Sequence, residues 1–254
     1  MRQALEPILK INNLQTHFYT KAGILKAVDG VSFEIAAGEI VGLVGESGSG
    51  KSITGFSVMG LVDAPGKIID GSINFKGKNL SALSNGQMQN IRGNRIAMIF
   101  QDPMMTLNPV LRIETQMIEA IQAHDGEVSR EDARIRSRDT LGLVGISSPD
   151  ERLRAYPHQF SGGMRQRVSI AIAMLNRPDL IIADEPTTAL DVTIQGQVIS
   201  EMQKLCRETQ TALLWITHDL AVVAGIADRV CVMYAGRIVE QGLVANIIAN
   251  PMHP

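Results

Sequence analysis

Short apolar or alternating runs, separated by polar and turn residues, recur along the chain. Apolar runs of this length are typical of strands that are buried on both faces of a parallel sheet. The predicted strands are Ile8–His17, Val31–Ile35, Glu39–Val44, Ile96–Phe100, Leu180–Ala183, Ala212–Ile216 and Val230–Met233. The predicted helices between them are Lys51–Leu61, Arg130–Val144, Gly163–Leu175 and Thr193–Glu208. Strands that alternate with helices predict an α/β layered fold.

The segment 102–177 departs from this alternation. It begins with turn residues, DPMMTLNP, continues with the charged helical stretch SREDARIRSRD, and contains no convincing strand. We therefore predict a mostly helical subdomain at 102–177, inserted into an α/β core formed by 1–101 and 178–254. Because the chain ends abruptly in NPMHP, we expect the natural protein to continue past residue 254.

Composition excludes several classes of protein. The formal net charge of the 254 residues is −2, which argues against bulk nucleic-acid binding and against a polybasic membrane-surface patch. Aromatic residues are only 4 % of the chain, too few for a base-stacking platform. The two cysteines, Cys206 and Cys231, form neither a disulfide framework nor a metal-spaced pair, which indicates a reducing compartment. The start MRQALEPILK has an acidic residue and no long apolar stretch, so we expect no signal peptide. The apolar runs are shorter than the ~20 residues of a spanning helix, so we expect no membrane span.

The most specific motif matches the phosphate-loop pattern G-x-x-x-x-G-K-[ST]. Its residues are Gly45, Glu46, Ser47, Gly48, Ser49, Gly50, Lys51 and Ser52. The motif follows a predicted strand and opens a predicted helix, a context that a chance glycine turn does not explain. Glycines let backbone N–H groups approach phosphate oxygens, and the helix N-terminus favours negative charge. We predict that Lys51 binds the β and γ phosphates of a nucleotide and that the Ser52 hydroxyl binds Mg²⁺.

An apolar strand that ends in two acids, LIIADE at 180–185, is the second candidate site. In P-loop enzymes an acid at such a strand end holds Mg²⁺, often through water, and Asp184 fits that role. Glu185, one residue further on, is placed to polarise a water near the γ-phosphate. The alternative is that either acid caps the turn at Pro186.

A third motif, Ser161-Gly162-Gly163, precedes an apolar helix. Serine is a good N-cap, and two glycines leave the backbone N–H groups bare, so this helix start can hold phosphate. Taken alone, the motif is read as a plain N-cap. The other motifs change that interpretation.

Together these residues resemble the ATP-binding-cassette (ABC) family of transport ATPases over essentially the whole chain. Six motifs occur in the family's order: Walker A at 45–52, the Q-loop at 99–103, the signature at 161–163, Walker B at 180–185, the D-loop at 189–191 and the switch histidine at 217–219. The resemblance implies a P-loop NTPase core with a mostly parallel sheet, an N-terminal antiparallel β portion and a helical subdomain insertion.

A narrower resemblance is to the dipeptide and oligopeptide importer ATPases, through FQDPMMTLNP at 100–109, SGGMRQRV at 161–168 and ADEPTTALDVTIQ at 183–195. It implies an ATP-hydrolysing subunit that energises peptide uptake through two transmembrane permease subunits, at the cytoplasmic face of the inner or plasma membrane. Further implied partners are a second ATPase subunit, identical or paralogous, and indirectly a periplasmic or lipoprotein solute-binding protein. No nucleic acid is implied. An iron–sulfur cluster is implied only for a C-terminal region beyond residue 254.

The resemblance also implies roles for individual residues. Each ATP lies between Walker A of one subunit and Ser161–Gly163 of the other. Glu185 orients or deprotonates the attacking water, and His218 contacts the γ-phosphate and holds Glu185 in place. Gln101 contacts Mg²⁺ or the water when ATP is present.

The remaining nucleotide contacts are Ile53, Asp191 and an aromatic ring on adenine. Tyr19 lies at about the family's distance before the phosphate loop, and Phe18 is the alternative. Either ring could instead be a core or edge-strand aromatic. The chain departs from the family at Met164, where glutamine is usual, and methionine cannot supply the amide hydrogen bonds.

Other functions remain as alternatives. A cassette ATPase without a membrane partner, in DNA repair or translation, would carry a long coiled coil or a second cassette, and neither pattern is present. A regulatory module without turnover would lack Glu185, and a kinase or GTPase would not need Ser161–Gly163. The cargo is not readable from the sequence, and importers of nickel or glutathione share this subfamily.

Overall fold

The structure is a computed structural model that describes residues 7–188, 190 and 192–253, without the side chains of Met105 and Thr193. Its strands are β1 (Pro7–Thr20), β2 (Gly23–Ala36), β3 (Ile40–Val44), β4 (Gly66–Phe75), β5 (Lys78–Asn79), β6 (Ile96–Ile99), β7 (Leu180–Asp184), β8 (Ala212–Thr217), β9 (Arg229–Tyr234) and β10 (Arg237–Leu243). Its helices are α1 (Lys51–Met59), α2 (Asn85–Gln89), α3 (Ile113–Gln122), α4 (Arg130–Leu143), α5 (Pro149–Leu153), α6 (Gly162–Met174), α7 (Val192–Thr209), α8 (Leu220–Ile226) and α9 (Val244–Ala249).

The chain divides into two compact units. The first contains the described residues up to Gln89 and those from Gln210 onwards, and the second contains those from Asn90 to Thr209. The segment 102–177, whose backbone is described throughout, lies in the second unit and contains helices and 3₁₀ turns but no strand. The division into a core at 1–101 and 178–254 and an insertion at 102–177 stays a prediction.

An antiparallel sheet with the strand order β2-β1-β4-β5 forms one part of the first unit. Leu9 of β1 pairs with Ile35 of β2 on one side and with Phe75 of β4 on the other, and all three side chains are buried. The sequence pattern missed β4, because its glycines and polar residues hide the alternation. Pairing with β1 supplies the backbone hydrogen bonds that its own sequence does not predict.

A mixed sheet forms the other part of the first unit. Strand β3 is parallel to β8 on one side and to β9 on the other, and β10 is antiparallel to β9. Every residue of β3 and β8 is buried, as expected for strands that are covered on both faces. Val44 pairs with Thr217, so the phosphate loop and His218 follow the carboxyl ends of neighbouring strands.

The second unit has a parallel strand pair and the helices α3 to α7. Strand β6 is parallel to β7, with Ile99 beside Ala183. This register brings Gln101, which follows β6, to the same sheet end as Asp184 and Glu185. Helix α3 packs on α4, and α4 packs on α6.

Helix boundaries differ from the predicted ones where a backbone conformation decides them. We expected α1 to reach Leu61, but it ends at Met59 because Gly60 adopts a left-handed conformation with φ +61°. The N–H of Gly60 donates to the carbonyls of Phe56 and Ser57, which completes the cap. Among the described residues, no helix has the length and the apolar character that crossing a membrane requires.

Candidate nucleotide site

The phosphate loop connects β3 to α1, and two of its glycines have left-handed backbone conformations. Gly50 has φ +103°, and a Cβ there would lie 2.1 Å from the carbonyl oxygen of Ala27. Gly48 has φ +79°, but no described atom lies within 4 Å of the position that a Cβ would occupy there. Glycine is therefore favoured at position 50 by its backbone conformation and by the lack of room for a side chain. At position 48 it is favoured by the backbone conformation alone.

Polar groups of the loop are directed into it. Lys51 is buried, and its Nζ donates to the carbonyl oxygens of Gly45 at 2.9 Å and of Glu46 at 2.8 Å. The hydroxyl of Ser49 is buried and has no hydrogen-bond partner among the described residues. A buried ammonium in a glycine-rich loop favours a ligand rich in negatively charged oxygens, such as a polyphosphate.

The N-terminus of α1 is open to an anion. Its N-cap, Gly50, has no side chain to accept from the first N–H groups, and the first turn, with Ser52 and Ile53, contains no acidic residue. The positive end of the helix dipole is therefore not compensated by the helix itself. This arrangement fits the phosphates of ATP.

The switch histidine lies between two rigid elements. His218 is exposed and directly follows the wholly buried β8. The next residue, Asp219, caps α8 by accepting from the N–H groups of Ala221 at 2.8 Å and Val222 at 3.3 Å. The buried strand and the capped helix restrict the backbone on both sides of His218.

The two candidate adenine-stacking residues have different environments. Tyr19 is 47 % exposed near the end of β1. Phe18 is half-buried, and its ring lies so close to Gly66 that a Cβ there would be 2.6 Å from the ring edge. Tyr19 thus offers more open ring surface than Phe18.

In the second unit, the side chains of Gln101 and Glu185 lie within hydrogen-bond distance of each other. Gln101 Nε2 donates to Glu185 Oε2 at 3.4 Å, and Thr188 Oγ1 donates to the same oxygen at 3.0 Å. Glu185 has φ +44°, a conformation that costs free energy in a residue with a side chain. Strained backbone of this kind concentrates at functional sites. Asp184, the preceding residue, is buried.

The signature residues form the start of α6. The Ser161 hydroxyl accepts from the Met164 N–H at 3.3 Å, so Ser161 is the N-cap. Gly162 is exposed with open space around it, whereas a Cβ at Gly163 would lie 2.8 Å from Cγ2 of Ile194 in α7. Open space therefore surrounds Gly162 at the start of α6, and Ile194 of α7 packs closely on Gly163.

Sequence reasoning missed Arg167, which joins α6 to its neighbours. Its guanidinium donates to the carbonyls of Val144 at 3.0 Å and Gly145 at 3.2 Å, and to carboxylate and amide oxygens of Glu201 and Gln197, both at 3.1 Å. The arginine lies less than two turns after Ser161. The sequence offered one indication of this role, namely that Arg167 lies in the helix that begins at the signature.

A cavity of about 620 Å³ opens beside the signature within the second unit. Ser161 to Met164 line one side, and Ile146 and Ser147 line another. The D-loop contributes Leu190 to the lining. The predicted nucleotide contact Asp191 lies outside the described residues.

Comparison with known proteins identifies the class. Residues 28–188 match the family described as ABC transporter. The chain belongs to this family. ABC cassettes bind and hydrolyse ATP, and the predicted α/β cassette fold and ATPase activity are confirmed.

The most informative relatives are bacterial peptide transport proteins. The chain is 51 % identical to the oligopeptide transport ATP-binding protein AppD of Bacillus subtilis, over 98 % of this chain and 76 % of that protein. It is also 51 % identical to the dipeptide transport ATP-binding protein DppD of Bacillus subtilis, over 98 % and 75 %. With DppD of Escherichia coli it shares 47 % identity, over 97 % and 75 %.

Solved ABC cassettes have the same fold. The dimeric post-hydrolysis structure of the cassette MJ0796, bound to ADP and phosphate, matches with a TM-score of 0.83 at 27 % identity, covering 93 % of this chain and 98 % of that one. The cassette cbiO1 of Clostridium perfringens, part of the transporter complex cbiONQ, matches with a TM-score of 0.80 at 26 % identity, covering 96 % and 91 %. Family membership implies permease partners in a membrane and a dimeric arrangement of cassettes.

Proposed function

We propose that this chain is the ATP-hydrolysing subunit of an importer for dipeptides and oligopeptides. The main support is the sequence identity of 51 % to peptide transport ATP-binding proteins over 98 % of the chain. The phosphate-loop motif is also intact. Its place is at the cytoplasmic face of the membrane, bound to two permease subunits. A solute-binding protein delivers the peptide on the other side.

The phosphate loop binds the triphosphate. The N–H groups of residues 45–50 and of the first turn of α1, with Ser52 and Ile53, contact phosphate oxygens, and Lys51 neutralises the β and γ charge. Its present hydrogen bonds to two loop carbonyls already hold the ammonium inside the loop, so little side-chain entropy remains to be lost. Tyr19 stacks on the adenine with its exposed ring face.

Hydrolysis requires a base for the attacking water, and Glu185 is that base. The hydrogen bonds from Gln101 and Thr188 orient its carboxylate. His218 donates to the γ-phosphate. The motifs assign Mg²⁺ to Ser52, Asp184 and Gln101, whose hydroxyl, carboxylate and amide oxygens suit this ion. When bound, the ion neutralises charge that develops on the phosphate oxygens.

The signature acts on the ATP of a second subunit. The Ser161 hydroxyl accepts from the Met164 N–H in capping α6, so its own O–H can donate toward the γ-phosphate together with the N–H groups of Gly162 and Gly163. Asp191 contributes from the D-loop. Two helix starts then face the triphosphate, so charge stabilisation is complete only in the closed dimer.

Replacing Glu185 by Gln tests the catalytic role. Glutamine keeps an oxygen that accepts from Gln101 and Thr188 but cannot take a proton, so the change isolates basicity from geometry. We expect unchanged ATP binding and hydrolysis at least ~10²-fold slower, the scale of a general-base contribution. Glu151→Gln, an exposed change in α5, is the matched control. Near wild-type turnover of Glu185→Gln would assign the base to another group.

The cargo is tested in a deletion strain. We expect uptake of radiolabelled dipeptides and oligopeptides to fall and to return with the wild-type chain but not with Glu185→Gln. Retained peptide uptake with lost nickel or glutathione uptake would replace the peptide assignment. Wild-type uptake of all three solutes would remove the importer assignment.

A further inference from the structure

Two segments of the first unit pack directly on the phosphate loop. The carbonyl oxygen of Ala27 in β2 lies against Gly50, and that of Met233 in β9 lies 2.0 Å from the position of a Cβ on Gly45. In the turn between β9 and β10, the N–H of Gly236 donates to the carbonyl of Ser49 at 2.9 Å. The segments 26–29 and 233–236 therefore both lie against the loop.

These two segments are joined to each other at Asp29. Its N–H donates to the carbonyl of Gly236 at 2.8 Å. Arg237 donates through Nε at 3.0 Å and through a terminal nitrogen at 2.6 Å to Oδ2 of Asp29. The second carboxylate oxygen lies 3.8 Å from Lys26 Nζ and 4.0 Å from Nε2 of the buried His17.

The path from this ion pair to the loop is two hydrogen bonds long. The N–H of Asp29 donates to the carbonyl of Gly236, and the N–H of Gly236 donates to the carbonyl of Ser49. Ser49 lies between Gly48 and Gly50, both with positive φ, where glycine allows many backbone conformations. A glycine-rich loop needs its neighbours to keep the N–H groups aimed at one point, because its own side chains contribute little packing.

We propose that Asp29 and Arg237 are positioning residues that hold the phosphate loop in its ATP-binding conformation and thereby raise the affinity for ATP. The inference rests on the proposed role of the loop as the phosphate site. It assigns no contact with the nucleotide to either residue. A loop that is competent only part of the time binds ATP more weakly in proportion to that fraction.

The test compares two arginine–aspartate pairs of the chain. Arg237→Ala removes the positioning pair. Arg95→Ala removes the control pair with Asp179, which has the same 2.6 Å distance and an arginine that is 47 % exposed. The control pair precedes β6 and β7, at the ends opposite to Gln101 and Asp184. The full chain is titrated with Mg·ATP by calorimetry, at a temperature where thermal melts show every variant folded.

We expect Arg237→Ala to bind ATP about two- to fivefold more weakly, which is the range that an exposed ion pair supplies when all of its free energy favours the binding-competent conformation of the loop. Amide hydrogen exchange at 45–50 should become faster in this variant. Arg95→Ala should match the wild type in both measurements. Arg237→Lys, which restores the charge without the paired N–H groups, should be intermediate.

Each outcome decides the proposal. Equal ATP affinity of Arg237→Ala and Arg95→Ala, or unchanged exchange at 45–50 in Arg237→Ala, would overturn the positioning role. The variant Lys51→Ala distinguishes an error in the positioning role from an error in the proposed function. If Lys51→Ala loses ATP affinity while Arg237→Ala keeps it, only the positioning role is wrong. If Lys51→Ala also kept full affinity, the loop would not be the phosphate site at all.

Discussion

The phosphate loop offers a comparison between two glycines that differ in one property. Gly48 and Gly50 both have positive φ, +79° and +103°. The experiment replaces each of them in turn by alanine. The added methyl group of Gly48→Ala enters open space among the described atoms, whereas that of Gly50→Ala would lie 2.1 Å from the carbonyl oxygen of Ala27. The pair thus separates backbone strain from a steric clash.

The magnitudes follow from these two terms. A residue with a side chain in a left-handed conformation costs about 1–2 kcal/mol, and both variants incur this cost. Gly50→Ala also forces apart two backbone segments, which we place at a further ~1–3 kcal/mol, the cost of overpacking in a core. We expect a loss in the free energy of unfolding of about 1–2 kcal/mol for Gly48→Ala and about 2–5 kcal/mol for Gly50→Ala.

Urea unfolding at 25 °C, followed by circular dichroism, measures both losses. ATP affinity by calorimetry should fall strongly in Gly50→Ala, because the shift occurs at the N-terminus of α1. If the two variants lost the same free energy of unfolding, the close approach of Ala27 would not be the reason for glycine at position 50. The steric argument for this loop would then be refuted.

Three further predictions concern single side chains. Lys51→Ala should abolish tight ATP binding in calorimetry, because the phosphate charge loses its main cation; unchanged affinity would remove the phosphate-loop assignment. Arg167→Ala should lower the free energy of unfolding by about 2 kcal/mol in urea, since a half-buried charged donor is lost and its acceptors are left without it, and Arg167→Lys should recover part of it. The hydrogen bond from Arg237 holds the pKa of Asp29 below its ordinary value of 3.8. The pair therefore stabilises the fold above the ordinary pKa and loses this effect as the pH falls through the lowered pKa, so the urea stabilities of wild type and Arg237→Ala should differ at pH 7 and converge in acid.

Both cysteines are buried, and burial raises the pKa of each thiol to about 12. A thiol with such a pKa is protonated at neutral pH and reacts slowly with alkylating reagents. Cys206 and Cys231 are thus packing residues.

The sequence determined those parts of the molecule in which short-range chemistry is decisive. A phosphate loop between an apolar strand and a helix, and two acids at the end of LIIADE, are readable because the residue types and their spacing carry the chemistry. Buried parallel strands are also readable, because both faces must be apolar. The strands β3, β7 and β8 were therefore predicted to within about one residue.

Only the tertiary structure revealed which residues hold these motifs in place. Asp29 and Arg237 lie far apart in the chain and look like ordinary surface charges until the β9–β10 turn brings them together beside the phosphate loop. Arg167 acquires its role through carbonyls of a segment more than twenty residues earlier. Strand β4 exists because β1 pairs with it. Long-range pairing of this kind leaves no periodic trace in the sequence, since its free energy comes from partners that the chain meets only after folding.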